Sequence, residues 1–397
     1  MKMAYQSEIS LCRHCLEREG IKGTASKNCD LCGGILAELP KRTSEIAEKL
    51  SKYEYETFLI GASIPQTVLD REDELRSRLK IKGKESVKSQ ITRMLTRNIS
   101  KTTGKRSDYS RPDLAVLLSL ADGYVQINPR SIWLSARYTK SSRGIPQRSS
   151  DCRQCNGLGC AACNYSGRSG KNIQSVATAF FCKKFGAESC NFVWLGSEDE
   201  NSLVEGSGRP FFAEVLRPKI RLTGSDRSKF RTRLAFKSKD IKLTGIYPLE
   251  KRITEVPQFN VTCVVHLVKN ETDSPQILSS EEIERNFSQA IVTIRLSRKY
   301  RMVQRMIHSI IVKPLNGGAK VDLIIKCEGG VPIKKLITNE DGSVEPNLST
   351  LLAHYTIDQE RPFDVLDVSV RKGHAKYGQR GQDRPRVPEG SFEDLDA

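Results

Sequence analysis

The sequence lacks any apolar run long enough to cross a bilayer. "LAVLLSLA" (Leu114 to Ala121) falls far short of the ~20 residues a spanning helix needs. Its first residues, "MKMAYQSEIS", have no apolar centre and no cleavage-site pattern, so no secretory signal is expected. No basic amphipathic anchor or lipidation signal stands out either. Together these absences predict a cytoplasmic protein with no membrane partner. The common enzyme signatures are missing too. There is no GxxxxGK[ST] loop and no GxGxxG after a strand, which argues against a nucleotide cofactor. The five histidines form neither HExxH nor HxE, which argues against a zincin or a zinc deaminase. No GxSxG elbow is present, and no period of 20 to 50 residues marks a repeat architecture.

Acidic charge is also in deficit, with 47 Asp+Glu against 64 Lys+Arg and a net charge of +17. Such a surface attracts phosphates at long range and releases them as salt rises, so nucleic acid is the leading partner. A merely solvated basic surface is the alternative. The length of 397 residues, 38% hydrophobic and 28% charged, suits two or three globular domains.

What the chain does have is cysteine, twelve in all, eight of them in four CxxC pairs. In a cytosolic chain, paired CxxC units read as metal knuckles before disulfides. Cys12/Cys15 and Cys29/Cys32 are separated so that two tight turns can meet around one tetrahedral zinc. Four thiolates leave no open position, which implies a structural site. Cys152/Cys155 and Cys160/Cys163 are closer together, in "CRQCNGLGCAACN". There Gly157 and Gly159 relax the backbone enough for a second zinc site. Free thiols, or sharing with Cys182 or Cys190, stay open for that cluster.

After a zinc module at residues 1–40, residues 41–150 read as a mixed α/β domain. "SVKSQITRMLTRNISK" (Ser86 to Lys101) sets Val87, Ile91, Met94 and Leu95 on one helical stripe, with Lys88, Arg93 and Arg97 towards the other side. "SIWLSARYTK" (Ser131 to Lys140) alternates as a strand and leads into "RYTKSSRGIPQR". Arg137, Lys140, Arg143 and Arg148 interleave there with Tyr138, a mixture suited to RNA. The cysteine knuckle of residues 151–172 follows. Residues 173–371 read as a second α+β unit, with strands expected at 259–268, 290–297 and 321–327. A helix at "SSEEIERNF" has capping-box spacing between Ser279 and Glu282. "RLSRKYRMVQR" (Arg295 to Arg305) adds a basic face. The tail 372–397 has the composition of a disordered segment.

One stretch runs against the charge of the rest. "GSEDENSLVEGSGRPF" (Gly196 to Phe211) gathers Glu198, Asp199, Glu200 and Glu205 between glycines. A solvated turn is one reading; a carboxylate acting on an incoming polyanion is the other. Here the chain resembles the archaeal THUMP-containing tRNA pseudouridine synthases. The core of that family reads approximately G-R-E-D-x-D-x-R-x-L-G-x-G-R-P-F. Gly196, Glu198, Asp199, Gly206, Gly208, Arg209, Pro210 and Phe211 fall on it without gaps, and "RPKIR" follows. "RPDL" (Arg111 to Leu114), "RYTKSSRGIPQ" and both cysteine clusters add to the likeness.

The resemblance implies an α+β architecture, with an N-terminal zinc-binding/THUMP-like domain and a catalytic domain built on a mainly antiparallel sheet. It implies isomerisation of uridine 54 and/or 55 in the T-arm of tRNA, without an organic cofactor. Asp199 becomes the catalytic carboxylate, and Phe259 the nearest candidate for a base-stacking aromatic. RNA contacts are expected from Arg137, Tyr138, Lys140, Arg143, Arg209, Lys219, Arg221 and Lys334, with Arg209 free to pair with Asp199 or with phosphate. The chain departs from the family at Ser197, Asn201 and Leu203, and again at Pro332, Lys335 and Ser343. A tRNA-binding protein or chaperone without catalysis on the same fold is the alternative. Protein partners are not indicated.

Overall fold

The computed structural model describes residues 9–168, 170–221, 234–270, 279–296 and 301–371. The expectations for the tail from Lys372, for residues 297–300 of the basic string and for residues 1–8 lie outside them.

Alternation of buried and exposed residues builds the first sheet. In β1 (Thr57–Ser63), Phe58, Ile60 and Ala62 turn inward, and in β3 (Leu114–Ser119), Leu114, Val116 and Leu118 do so. With β2 (Arg106–Ser107) and β4 (Val125–Pro129) they form a four-stranded sheet in the order β2-β1-β3-β4. β1 runs parallel to β2 and β3, and β4 closes the edge antiparallel. Helices α1 (Arg13–Glu19), α2 (Ile35–Leu50), α3 (Gln66–Leu79) and α4 (Val87–Thr103) accompany it. α4 buries Val87, Ile91, Leu95 and Ile99 against β1 and α2, while Met94 is only partly buried. Ser86 caps its first turn by accepting the Ser89 N–H. Cys15, Cys29 and Cys32 sit in this same core. The cysteine module and the α/β unit therefore share one interior, and α2 runs straight across residue 40.

β5 (Ile132–Lys140) departs from the expected division. It lies in the second sheet, between β7 (Val204–Leu216) and β9 (Ile241–Pro248), so the first unit ends near Arg130. The cause is burial: Leu134, Ala136, Tyr138 and Lys140 all enter the C-terminal core. That unit also contains α5 (Ile173–Phe185), β6 (Ser189–Trp194), β8 (Phe236–Lys237), β10 (Phe259–Lys269), α6 (Ser280–Phe287), β11 (Ala290–Leu296), β12 (Arg301–Leu315), β13 (Lys320–Glu328), α7 (Ile333–Thr338), β14 (Val344–Glu345), β15 (Tyr355–Ile357) and β16 (Phe363–Val370). The main path of this 12-stranded sheet is β14-β11-β12-β13-β10-β16-β7-β5-β9-β8. Its pairs are antiparallel except β7 with β16, which meet in parallel at Val204 and Val365. The expected helix over "SSEEIERNF" forms, but its capping box does not. At ψ 83° the Ser279 backbone leaves the extended region, and its side chain makes no cap bond.

The units meet at Arg221. Its N–H donates to the Glu54 carboxylate at 2.6 Å, and its guanidinium donates to the Arg130 carbonyl at 2.5 Å and lies 3.4 Å from Asp113. The Glu54 N–H donates back to the Lys219 carbonyl at 2.7 Å. Arg221, expected on the RNA-facing rim, is thus a buried junction residue. Among the described residues no helix is long and apolar enough to cross a membrane.

Candidate active site

The loop from Gly196 to Leu203 joins β6 to β7, deep in the larger sheet. Gly196 opens it at φ 76°, in the left-handed region. A Cβ there would stand 2.6 Å from an Arg209 guanidinium nitrogen and 3.4 Å from the Phe259 ring, so only glycine fits. Four carboxylates are close in sequence, and the fold gives them different surroundings.

Glu198 turns inward. Its Oε2 lies 2.8 Å from Arg209 Nε, and both side chains are essentially sealed from solvent. Tyr138 donates its hydroxyl to Glu198 Oε1 at 2.5 Å, and Gln147 Nε2 donates to that hydroxyl at 2.9 Å. Burial, then the charge of Glu198, raises the Tyr138 phenol far above its ordinary range and keeps it a donor. Arg209 spends its other donors on the Leu195 carbonyl at 2.7 Å and the Ser197 carbonyl at 3.4 Å. Arg209 therefore pairs with Glu198 rather than with Asp199 or a phosphate.

Asp199 turns outward, its side chain 26% exposed. Lys334, near the start of α7, donates to Oδ2 at 2.6 Å, and the Asn201 N–H donates to Oδ1 at 2.9 Å. Burial acts to raise this carboxyl. The bonds from Lys334 and Asn201, with the charges of Lys334 and Lys140, outweigh it and hold the group below the ordinary carboxylate range. The result is an oriented, ionised carboxylate at the protein surface.

Further along, Asp364 of β16 fixes the end of the loop. It accepts the Leu203 N–H at 2.7 Å and a two-pronged contact from Arg143, 2.7 Å at each oxygen. His266 lies between Asp364 at 3.2 Å and Asp322 at 2.7 Å, and Asp364 leads in raising its pKa. Arg143 also donates to the Asn201 carbonyl.

Beside the loop is a cavity of about 220 Å³. Its lining includes Ser197, Arg209, Phe259, Glu328, Pro332 and Ile333. This is below the ~300–1,000 Å³ typical of drug-sized ligands, so it suits one small ring. Phe259 forms part of the wall, its edge facing Gly329, where a Cβ would stand 2.3 Å from the ring. Asp199 and its partner Lys334 do not line the cavity, but each is close along the chain to a residue that does, Asp199 two residues after Ser197 and Lys334 next to Ile333.

Several expected RNA contacts are interior. Tyr138, Lys140 and Arg209 are buried, and Lys140 donates only to backbone carbonyls. Arg137 donates to Ser207 and to the carbonyls of Gly208 and Val368. Arg143 is committed to Asp364. Basic residues interleaved with an aromatic look alike in sequence whether they face RNA or close a core. The strand pairing of β5, a long-range feature, decides it here. Lys219 remains exposed, and Lys334 is exposed but paired with Asp199. Sequence reasoning missed Asp364 and His266, which carry no local signal because their partners lie far away along the chain.

Both cysteine sets close into tetrads whose sulfurs lie within 4.8 Å of one another. Cys12 and Cys32 are 3.8 Å apart, Cys152 and Cys160 3.9 Å, and Cys155 and Cys163 3.8 Å. Four thiolates ~2.3 Å from a central tetrahedral ion stand about 3.8 Å apart, so the residues fit such an ion. N–H groups of Gly159 and Cys160 point at Cys155 and Cys163 sulfurs, at 3.1 and 3.2 Å. Cys182 and Cys190 stay outside both sets, 4.0 Å from each other.

Comparison with known proteins adds a separate line. A family model described as "Pus10, C-terminal" matches residues 133–369, and one described as "Pus10 THUMP domain, archaeal" matches residues 43–119. The "tRNA pseudouridine synthase Pus10" of Cenarchaeum symbiosum is 30% identical over 383 residues, covering 95% of this chain and 90% of its own. Its namesake in Nitrosopumilus maritimus is 28% identical over 390 residues, covering 92% and 96%. That of Methanocaldococcus jannaschii is 29% identical over 354 residues, covering 86% and 75%. A solved "Cbf5-Nop10-Gar1 Complex" aligns with 48% of this chain and 44% of that one at 13% identity. Its TM-score of 0.28 is too low to bear on the fold.

Proposed function

The chain belongs to the Pus10 family, and on that premise we propose that it is a tRNA pseudouridine synthase acting on uridine 54 and/or 55 of the T-arm, with Asp199 as its catalytic carboxylate. The observation that carries this reading is the unequal treatment of neighbouring acids. Glu198 is spent on a buried ion pair, while Asp199 is oriented by Lys334 and Asn201, kept ionised, and presented beside a cavity of single-ring size.

Isomerisation breaks the N1 glycosidic bond, turns the uracil and joins its C5 to the same ribose carbon. The target must leave the helical stack first, because a base held in the stack cannot enter the cavity beside the loop. In this chain Phe259 and Gly330 line the cavity offered to the extruded base, and Lys334 and Asn201 fix the angle of the Asp199 oxygens. A carboxylate held in place before the substrate arrives gains its rate from orientation. Lys219, exposed in a cleft that Lys52 and Lys105 also line, between the units at the other end of the β6–β7 pairing, offers charge for tRNA phosphates away from the target nucleotide. Cys12, Cys15, Cys29 and Cys32, and Cys152, Cys155, Cys160 and Cys163, would each hold one zinc, which would supply a structural cross-link.

The test uses unmodified tRNA incubated with wild type and with Asp199→Ala, followed by mapping of adduct-dependent primer-extension stops. Stops at position 54 or 55 with wild type alone are expected. Product from both proteins would remove Asp199 from the chemistry. Pro332 on the cavity wall, where the family carries Tyr, favours the competing reading of tRNA binding without catalysis. Product from neither protein, with tRNA bound by both, would support it.

A further inference from the structure

A lysine ammonium inside a protein is costly unless each of its protons meets an acceptor. Lys140, at the end of β5, is wholly buried. Its Nζ donates to the carbonyl of Ile145 at 2.8 Å, of Glu200 at 3.1 Å and of Asp199 at 3.2 Å. Three carbonyls converging on one nitrogen match the three protons of an ammonium; a neutral amine has only two to give. The third carbonyl belongs to a residue tied to the same loop, since the Ile145 N–H donates to the Glu200 carbonyl at 3.1 Å.

This arrangement sets the direction of Asp199. The Asp199 carbonyl is held by the Ser202 N–H at 3.0 Å and by Lys140, and the Glu200 carbonyl by Lys140 and the Ile145 N–H, so both peptide planes face inward and the carboxylate is left on the outer side facing Lys334. We propose that Lys140 is a positioning residue for the reaction: it holds the peptide groups of Asp199 and Glu200 so that the Asp199 carboxylate meets the nucleoside at a fixed angle. This rests on the catalytic reading of Asp199. Lys140 does not line the cavity and is sealed from solvent, so it acts through the loop.

Its charge works in the same direction. The charged groups around Lys140 are Glu198 and Asp199 of the loop, Arg143 beyond β5 and Asp364 of β16; those around Asp199 are Lys334 of α7 and Lys140 itself. Replacing Lys140 by Met leaves the Ile145 carbonyl without its donor, reduces the Asp199 and Glu200 carbonyls to the backbone N–H groups of Ser202 and Ile145, and removes one of the two cations beside Asp199. Replacing it by Arg keeps a cation but substitutes a planar fork for three convergent protons.

The experiment is single-turnover conversion of unmodified tRNA across pH by wild type, Asp199→Asn, Lys140→Met and Lys140→Arg, with tRNA affinity and melting measured in parallel. Lys140→Met should slow the chemical step about 100-fold, the effect of a misplacement of ~1 Å, while tRNA affinity stays within about threefold. The acidic limb of its pH profile should move upward, because Asp199 loses a neighbouring cation. Lys140→Arg should return that limb towards wild type while the rate stays low. If Lys140→Met does not fold, Lys140→Arg carries the test: a wild-type rate overturns the proposal, and a slowed rate with an unmoved limb supports it. A Lys140→Met rate and limb equal to wild type also overturn it. Activity surviving in Asp199→Asn would instead refute the catalytic reading, a separate outcome.

Discussion

At the scale of single residues, the site depends on which partner each charge finds. Arg209 and Glu198 form a pair sealed from solvent, with Tyr138 and Gln147 satisfying the remaining oxygens. Removing one member strands the other, which costs about 3–5 kcal/mol for a buried pair. Arg209→Met should lower the melting temperature steeply, and denaturant unfolding will show it as a reduced midpoint. Asp199→Ala, at a group about a quarter exposed, should move that midpoint much less. Equal effects would mean that Glu198 is not the structural acid of the loop. Asp199 is singled out in the sequence because the nearby run Gly206 to Phe211 carries the family pattern, and its catalytic role is the proposal made above. The partner of Arg209 was not legible: adjacent acids point to opposite sides of the chain, and only the fold shows which side is interior.

Among elements, the two cysteine tetrads are alike in chemistry and unlike in setting. The first contributes Cys15, Cys29 and Cys32 to the core beneath β1 and α4; the second sits in a loop with Cys155, Cys160 and Cys163 only half-buried. Structural zinc in small modules contributes ~10–16 kcal/mol of apparent folding free energy at neutral pH. Cys12→Ser should therefore lose one metal equivalent and melt the N-terminal unit early. Cys152→Ser should lose one equivalent with little change in the main transition. Elemental analysis beside calorimetry checks both. The CxxC spacings made these turns legible in advance, and the period of apolar residues did the same for α4 and for β10, β11 and β13. The place of β5 was illegible, because an alternating strand states that it has two faces and not which sheet will pair with it.

For the whole molecule, the two units are tied through Arg221, Asp113, Arg130 and Glu54. Asp113 is partly buried; burial pushes its carboxyl up, and the Glu56 N–H with Arg221 and Arg130 more than reverses that, so it stays ionised. Truncating one member of such a desolvated set costs about 2–5 kcal/mol. Arg221→Ala should loosen the junction while leaving each core folded. Small-angle scattering should report a larger radius of gyration, and tRNA turnover should fall through weaker binding. An unchanged scattering profile would show that other contacts hold the units together.

The loop around Asp199 is held almost entirely by main-chain atoms. Lys140 takes the carbonyls of Asp199 and Glu200, Arg143 takes that of Asn201, and Asp364 takes the N–H of Leu203. Every amino acid offers the carbonyls and all but proline the N–H, so the grip hardly depends on the side chains at 200, 201 and 203. A loop anchored in this way can change its lettering without changing its course. That is how Asn201 and Leu203 can differ from the family pattern while Asp199 keeps its place ahead of them.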